Sequence, residues 1–166
     1  MNYHDEEIEI DAQIRAELHR LKEASNIPAG TSPNPAELRA IFQNSTVQKV
    51  VRKLPLSSYL RKIRTYAEAT FEDFAAALKV SPDVVRRLET NESEPWSVPA
   101  HQMAQVARGL RLHLTALETL TWNSYTVARL SRNLSDPQTT QELVATWLGE
   151  VRSDLERRGG TDLLEE

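Results

Sequence analysis

Apolar residues between positions 70 and 88 fall into two short helical sets, Phe71, Phe74, Ala75 and Leu78, then Val84, Val85 and Leu88, with a break at Lys79-Val80-Ser81. Two helices joined by so short a break must cross steeply, and Ala75, Ala76 and Ala77 are small enough to permit close approach. Upstream, residues 5–24 carry Ile10, Ile14, Leu18 and Leu21 on one stripe of an amphipathic helix, and residues 25–35 (SNIPAGTSPNP) have linker composition. Two further helical patterns follow, one through Leu38, Ile41 and Phe42 and one through Val47, Val50, Val51 and Leu54, the latter stopping at Pro55. Downstream, Leu143, Val144, Trp147, Leu148, Val151 and Leu155 recur at three- and four-residue steps and predict a long amphipathic helix over 136–159.

The predicted helix starts carry their own chemistry. Thr70 precedes Phe71, Glu72 and Asp73, so a hydroxyl can cap free N–H groups while two carboxylates sit at the positive end of the helix dipole. Ser81 precedes Pro82, whose missing N–H costs nothing at the first helical position, and Asp83 lies in the first turn. Asp136-Pro137 repeats the cap-and-proline signal for the tail helix, and Gly159-Gly160 would end it.

These residues resemble the lambda-repressor/Cro-like, or XRE-type, helix-turn-helix family: Arg64, Thr70, Glu72, Phe74, Ala75, Leu78, Val80, Ser81, Val85, Leu88 and Glu89 fall in the family's order and spacing. Residues 99–110 look like the family's fourth helix and 112–120 like its fifth. The resemblance implies an all-α fold, a lambda-repressor-like helix-turn-helix domain with flanking N- and C-terminal helices. Three units are expected: 1–34, an N-terminal amphipathic helix and proline-rich linker; 35–121, the helix-turn-helix domain with preceding helices; and 122–166, a C-terminal amphipathic helix for dimerisation. The chain departs from the family pattern where relatives touch DNA. Phe71 stands where a phosphate-binding glutamine is common, Pro82 and Asp83 open the recognition helix, and Lys79 replaces the usual turn glycine.

Charge adds a second layer. The net charge is -4, yet between Glu37 and Glu68 there is no acidic residue, while Arg39, Lys49, Arg52, Lys53, Arg61, Lys62 and Arg64 are basic. Such a block, spanning 49–64 at its densest, suits phosphate contacts that orient a protein on a duplex. From Glu68 to Glu94 the balance reverses, with seven acidic residues against Lys79, Arg86 and Arg87. Arg86 and Arg87 are the candidates for groove or phosphate contact, because a guanidinium donates two parallel bonds to guanine or phosphate. The candidate double-stranded DNA interface is therefore Arg86, Arg87, Asp83, Ser81, Arg61, Lys62, Arg64 and Lys53, with helix 82–90 in the major groove. Glu89 is expected to pair with a nearby arginine, with Arg64 in reach.

The aromatic residues admit two uses. Phe71, Trp96, Trp122 and Trp147 would either cover the core or anchor a regulatory protein partner, and Trp122 with Tyr125 would seal a hinge or a dimer seam. The tail stripe must bury itself on its own domain or on another copy, and the dimers common in the resembled family favour a homodimer. The other function class is thus a helix-turn-helix fold turned to protein binding, as an antitoxin-like or signalling adaptor, without sequence-specific DNA binding.

Zero cysteines exclude disulfides and thiolate metal sites, and His4, His19, His101 and His113 show no ligand spacing, so no cofactor is expected. No nucleophile-histidine-acid or glycine-rich phosphate pattern supports an enzyme. No basic-plus-apolar leader opens the chain and no apolar run reaches the ~18 residues of a spanning helix, so no membrane partner and a cytoplasmic location are expected.

Overall fold

A computed structural model of the chain describes residues 53–66, 68–131, 134, 136–158, 163 and 164, together with Ala12, Ala16 and His19. The helix expected over 5–24 lies outside the described residues except at those three positions, which are helical and exposed. The linker over 25–35, the patterns of 35–52 and Gly159-Gly160 also lie outside them.

Among the described residues every regular element is helical: α1 (Leu56–Tyr66), α2 (Phe71–Leu78), α3 (Pro82–Glu89), a short 3-10 turn (Pro95–Ser97), α4 (Ala100–Leu110), α5 (Leu114–Ser131) and α6 (Pro137–Arg157). No helix among these residues is long and apolar enough to cross a membrane. Three predicted starts are seen as caps. Thr70 Oγ1 accepts from Asp73 N at 3.1 Å, Ser81 Oγ accepts from Asp83 N at 3.3 Å, and Asp136 Oδ1 accepts from Thr139 N at 3.1 Å.

Asp136 also accepts from the Thr139 hydroxyl at 2.6 Å, and these bonds from Thr139 hold its carboxyl below the usual aspartate range. A lowered folded value means that the stabilisation is complete above the unfolded value of about 3.9 and is lost as pH falls through the lower folded one.

α2 and α4 close on left-handed C-caps that are not glycine. Lys79 (φ 60°) and Arg111 (φ 54°) take the left-handed conformation that closes α2 and α4. In each case the following amide reaches back, Val80 N to Ala75 O at 3.0 Å and Leu112 N to Ala107 O at 2.9 Å. A side-chain-bearing residue there costs about 1 kcal/mol in backbone strain, which the surrounding packing absorbs.

The core is continuous through all six helices. Leu54, Leu56, Tyr59, Leu60 and Ile63 from α1 and its approach meet Phe74 and Leu78 of α2, Val85 and Leu88 of α3, and Met103, Val106, Ala107 and Leu110 of α4. α6 packs along α4 and against the 3-10 turn, burying Val144, Trp147, Leu148, Val151 and Leu155. The tail helix therefore spends its apolar stripe on its own domain, except for Leu143, which is 52% exposed. This corrects the expectation of a dimer seam there: the indole of Trp147 is enclosed, and its Nε1 donates to Val98 O at 2.8 Å. The boundary expected at 121/122 falls inside α5, which runs straight through it.

One long-range cap joins the ends of this core. Ser124 Oγ accepts from Leu56 N at 2.9 Å, and Asn123 Nδ2 donates to Leu54 O at 3.0 Å, so α5 satisfies the backbone at the start of α1. Tyr125 in the same turn donates its hydroxyl to Pro137 O at 2.9 Å and meets Trp122 edge-on at 5.6 Å between ring centroids. Tyr125 thus ties α5 to the first residue of α6.

α4 comes close to α2 at Gly109, where a Cβ would lie 2.8 Å from Leu78 Cα and 2.9 Å from Leu78 Cδ2. Gly109→Ala should lower stability by about 1–3 kcal/mol, because the nearest obstacle is backbone. Gly149→Ala, on α6 with nothing within 4 Å, should instead raise it by up to about 1 kcal/mol through helix propensity. Urea unfolding of the two variants beside the wild type checks both signs.

Candidate nucleic-acid interface

α2 and α3 are joined by Lys79, Val80 and Ser81, and α3 packs on both α1 and α2. Only one side of α3 is spent on this packing. Val85, Leu88 and Glu89 are buried, whereas Pro82, Asp83, Arg86 and Arg87 are exposed on the opposite side.

The orientation of α3 is fixed by a half-buried ion pair. Arg64 Nε donates to both Glu89 oxygens, at 2.8 and 3.0 Å, with the Glu89 side chain only 2% exposed. The same guanidinium donates through Nη1 to Ala69 O at 3.2 Å and lies 4.1 Å above the centre of the Phe71 ring. One arginine therefore ties the end of α1 to the end of α3, to the loop before α2 and to the first residue of α2. Arg64 pairs with Glu89 as the sequence led us to expect, and this role removes it from the candidate DNA contacts. Reaching a phosphate would leave a buried carboxylate alone.

The other basic candidates divide between surface and interior. Lys53 and Arg61 are exposed, but Lys62 is buried at 8% exposure and is not presented as a phosphate contact.

On the open side of α3, Asp83 organises the charge. Its Oδ1 accepts from Arg86 Nη2 at 2.6 Å, and its Oδ2 forms an ion pair with Arg87 Nε at 2.9 Å, the three- and four-residue spacing at which helical side chains meet. Glu92 takes a second arm of Arg86, at 3.0 Å from Nη1. The hydrogen bond from Arg86 holds the Asp83 carboxyl below its usual range, reinforced by the charge of Arg87, so Asp83 is ionised throughout the neutral region. The hydrogen bond to Asp83 in turn raises the proton affinity of Arg86. Both arginines are solvent-exposed yet engaged, a feature that counting charges along the chain did not reveal. The spacing Asp83, Arg86, Arg87 was the signal available.

Among the aromatic candidates, Trp96 and Trp147 are buried in the domain's own core, 9% and 4% exposed, which corrects their reading as partner anchors. Trp96 meets Tyr125 at 6.4 Å between ring centroids, covering the core beneath the loop. Phe71 is half-buried under Arg64, and Trp122 is half-buried beside Tyr125. No family model matches this chain, and no curated protein or solved structure matches it.

Removing one member of the Arg64–Glu89 pair tests its structural role. Glu89→Ala should cost about 3 kcal/mol in denaturant unfolding because it strands a half-buried guanidinium, whereas Arg64→Met with Glu89→Leu should recover most of that loss. An unchanged midpoint in Glu89→Ala contradicts the role.

Proposed function

We propose that this chain is an XRE-type helix-turn-helix protein that binds double-stranded DNA, with α3 docked in the major groove. The observation that carries the reading is the pairing of α2 and α3. Each is capped at its start by a hydroxyl side chain, they are joined by three residues, and α3 turns Asp83, Arg86 and Arg87 outward. Arg86 and Arg87 are the base or phosphate contacts, and Arg61 and Lys53 are the outlying phosphate contacts. Ser81 caps the helix that enters the groove.

Asp83 works in two directions on this surface. Free in solution it screens both arginines, and at a duplex it faces the phosphates or accepts from a cytosine amino group. Binding therefore requires the arginines to exchange one carboxylate for DNA oxygens. That exchange makes this interface weaker for random sequence than its arginine count suggests, and it discriminates sites that offer a cytosine opposite Asp83.

The same self-neutralisation supports a second reading, in which the mixed-charge face of α3 and the half-buried Phe71 meet a protein partner, as in an antitoxin-like or signalling adaptor.

Selection of fragmented host genomic DNA on the purified protein at about 0.15 M salt separates the two readings. Enrichment of a shared sequence that is lost in Arg86→Ala/Arg87→Ala supports DNA recognition, and the salt slope of the double variant should fall by about 2. Asp83→Asn should strengthen nonspecific binding by about threefold or more and relax the preference for one base pair. Equal retention of all fragments by wild type and double variant moves the function to protein binding.

A further inference from the structure

A cleft of about 380 Å³ opens where the α2–α3 turn, one side of α4 and the end of α6 converge, lined by Lys79, Ser81, His101, Gln102, Gln105, Arg108 and Arg158, with Val80 the single apolar residue. It lies apart from Asp83, Arg86 and Arg87, none of which lines it. Its charge is unbalanced. Arg108 and Arg158 share one carboxylate, Asp154, at 3.3 Å each, and among the described residues no ion pair engages Lys79. Three cations against one carboxylate leave an excess of two positive charges around a small concave space.

The donors are also held in place. Gln105 Oε1 accepts from Arg108 Nε at 3.3 Å and from Nη2 at 3.1 Å, while Gln105 Nε2 donates to Leu78 O at 3.2 Å. With Nη1 on Asp154, three of the five guanidinium N–H groups are used and two remain to donate. Arg108 is thus anchored on both sides with its side chain only 19% exposed, a preorganised fork rather than a loose surface arginine. Ser81 Oγ accepts from Asp83 N, which leaves its hydroxyl proton for another acceptor. His101 and Gln102 belong to the first turn of α4, which starts without a side-chain cap.

We propose that this cleft binds the phosphate group of a small phosphorylated molecule. A phosphate monoester carries about -1.5 to -2 charges near neutral pH, which matches the local excess, and its oxygens accept from Arg108, Arg158, Lys79 and the Ser81 hydroxyl. The volume sits at the lower end of the ~300–1,000 Å³ of small-ligand pockets, room for a nucleoside monophosphate or smaller. Because the turn that carries Lys79 and Ser81 leads directly into α3, an occupant would brace the entry to that helix. The assignment does not rest on DNA binding.

The full chain is titrated with inorganic phosphate and with AMP, chloride being adjusted to hold ionic strength constant, and read by amide shifts of Ser81, Gln102 and Arg108. The comparison is Lys79→Gly/Arg158→Gln, chosen because glycine suits the left-handed backbone at 79 and Arg158 is exposed, so the fold is retained. Saturable binding of both probes, weakened at least about tenfold in the double variant and unchanged in Arg86→Ala/Arg87→Ala, is the expected result. Absence of saturation up to about 20 mM phosphate and AMP, or equal affinity in the double variant, overturns the site. A third arm adds a duplex without terminal phosphates. If it displaces AMP and loses affinity by the same factor in Lys79→Gly/Arg158→Gln, the phosphate recognised belongs to the DNA backbone, and the small-molecule assignment falls.

Discussion

The half-buried Arg64–Glu89 pair determines how the outward side of this domain is presented. A side-chain carboxylate that is 2% exposed needs its oxygens hydrogen-bonded, and here both are taken by one guanidinium nitrogen. Because Arg64 sits at the end of α1 and Glu89 at the end of α3, satisfying the charge sets the angle between those helices. Phe71 and Ala69 O fill the remaining faces of the same arginine, so α2 is carried along. The apolar core supplies the bulk of the stabilisation, but Leu and Val side chains tolerate several crossing angles. An ion pair with a buried carboxylate, with Ala69 O and the Phe71 ring packed against its arginine, does not.

With that geometry set, the molecule offers two polar faces of different character. On α3, Asp83 and Glu92 neutralise the arginines beside them, so the face is polar but nearly balanced. In the cleft beside α4, Asp154 is shared between two arginines and the balance is positive. Net charge along the chain predicts neither face, since it averages over side chains that the helices bring together or keep apart. Under the proposed reading a duplex would compete with Asp83 for the first face, whereas an anion entering the second would meet an arginine already held by Gln105.

What could be read from the residues alone was local. Thr70, Ser81-Pro82 and Asp136-Pro137 mark helix starts because each cap acts within three residues of itself, and the helical spacing of Phe74, Leu78, Val85 and Leu88 marks the buried sides of α2 and α3. The pairing of Arg64 with Glu89 was also within reach, as a buried acid near a helix end needs a cation. The uses of Trp96, Trp147, Asn123 and Ser124 were not. Each acts on backbone or rings far away in sequence, Trp147 on Val98 and Ser124 on Leu56, and periodicity carries no such information. An apolar tail stripe likewise fits a second copy or its own domain equally well, and only the packing of α6 on α4 decides for the latter. The cleft was hidden for the same reason: Lys79, Arg108 and Arg158 lie on three separate elements.

The most direct test of α3 as a DNA-reading helix is chemical-shift mapping of isotope-labelled protein titrated with a duplex carrying the enriched sequence. Perturbations concentrated at Ser81 to Thr90, with Arg61 and Lys53 responding and α6 silent, are the result predicted here. Shifts that leave Asp83, Arg86 and Arg87 unmoved while another surface responds would contradict it.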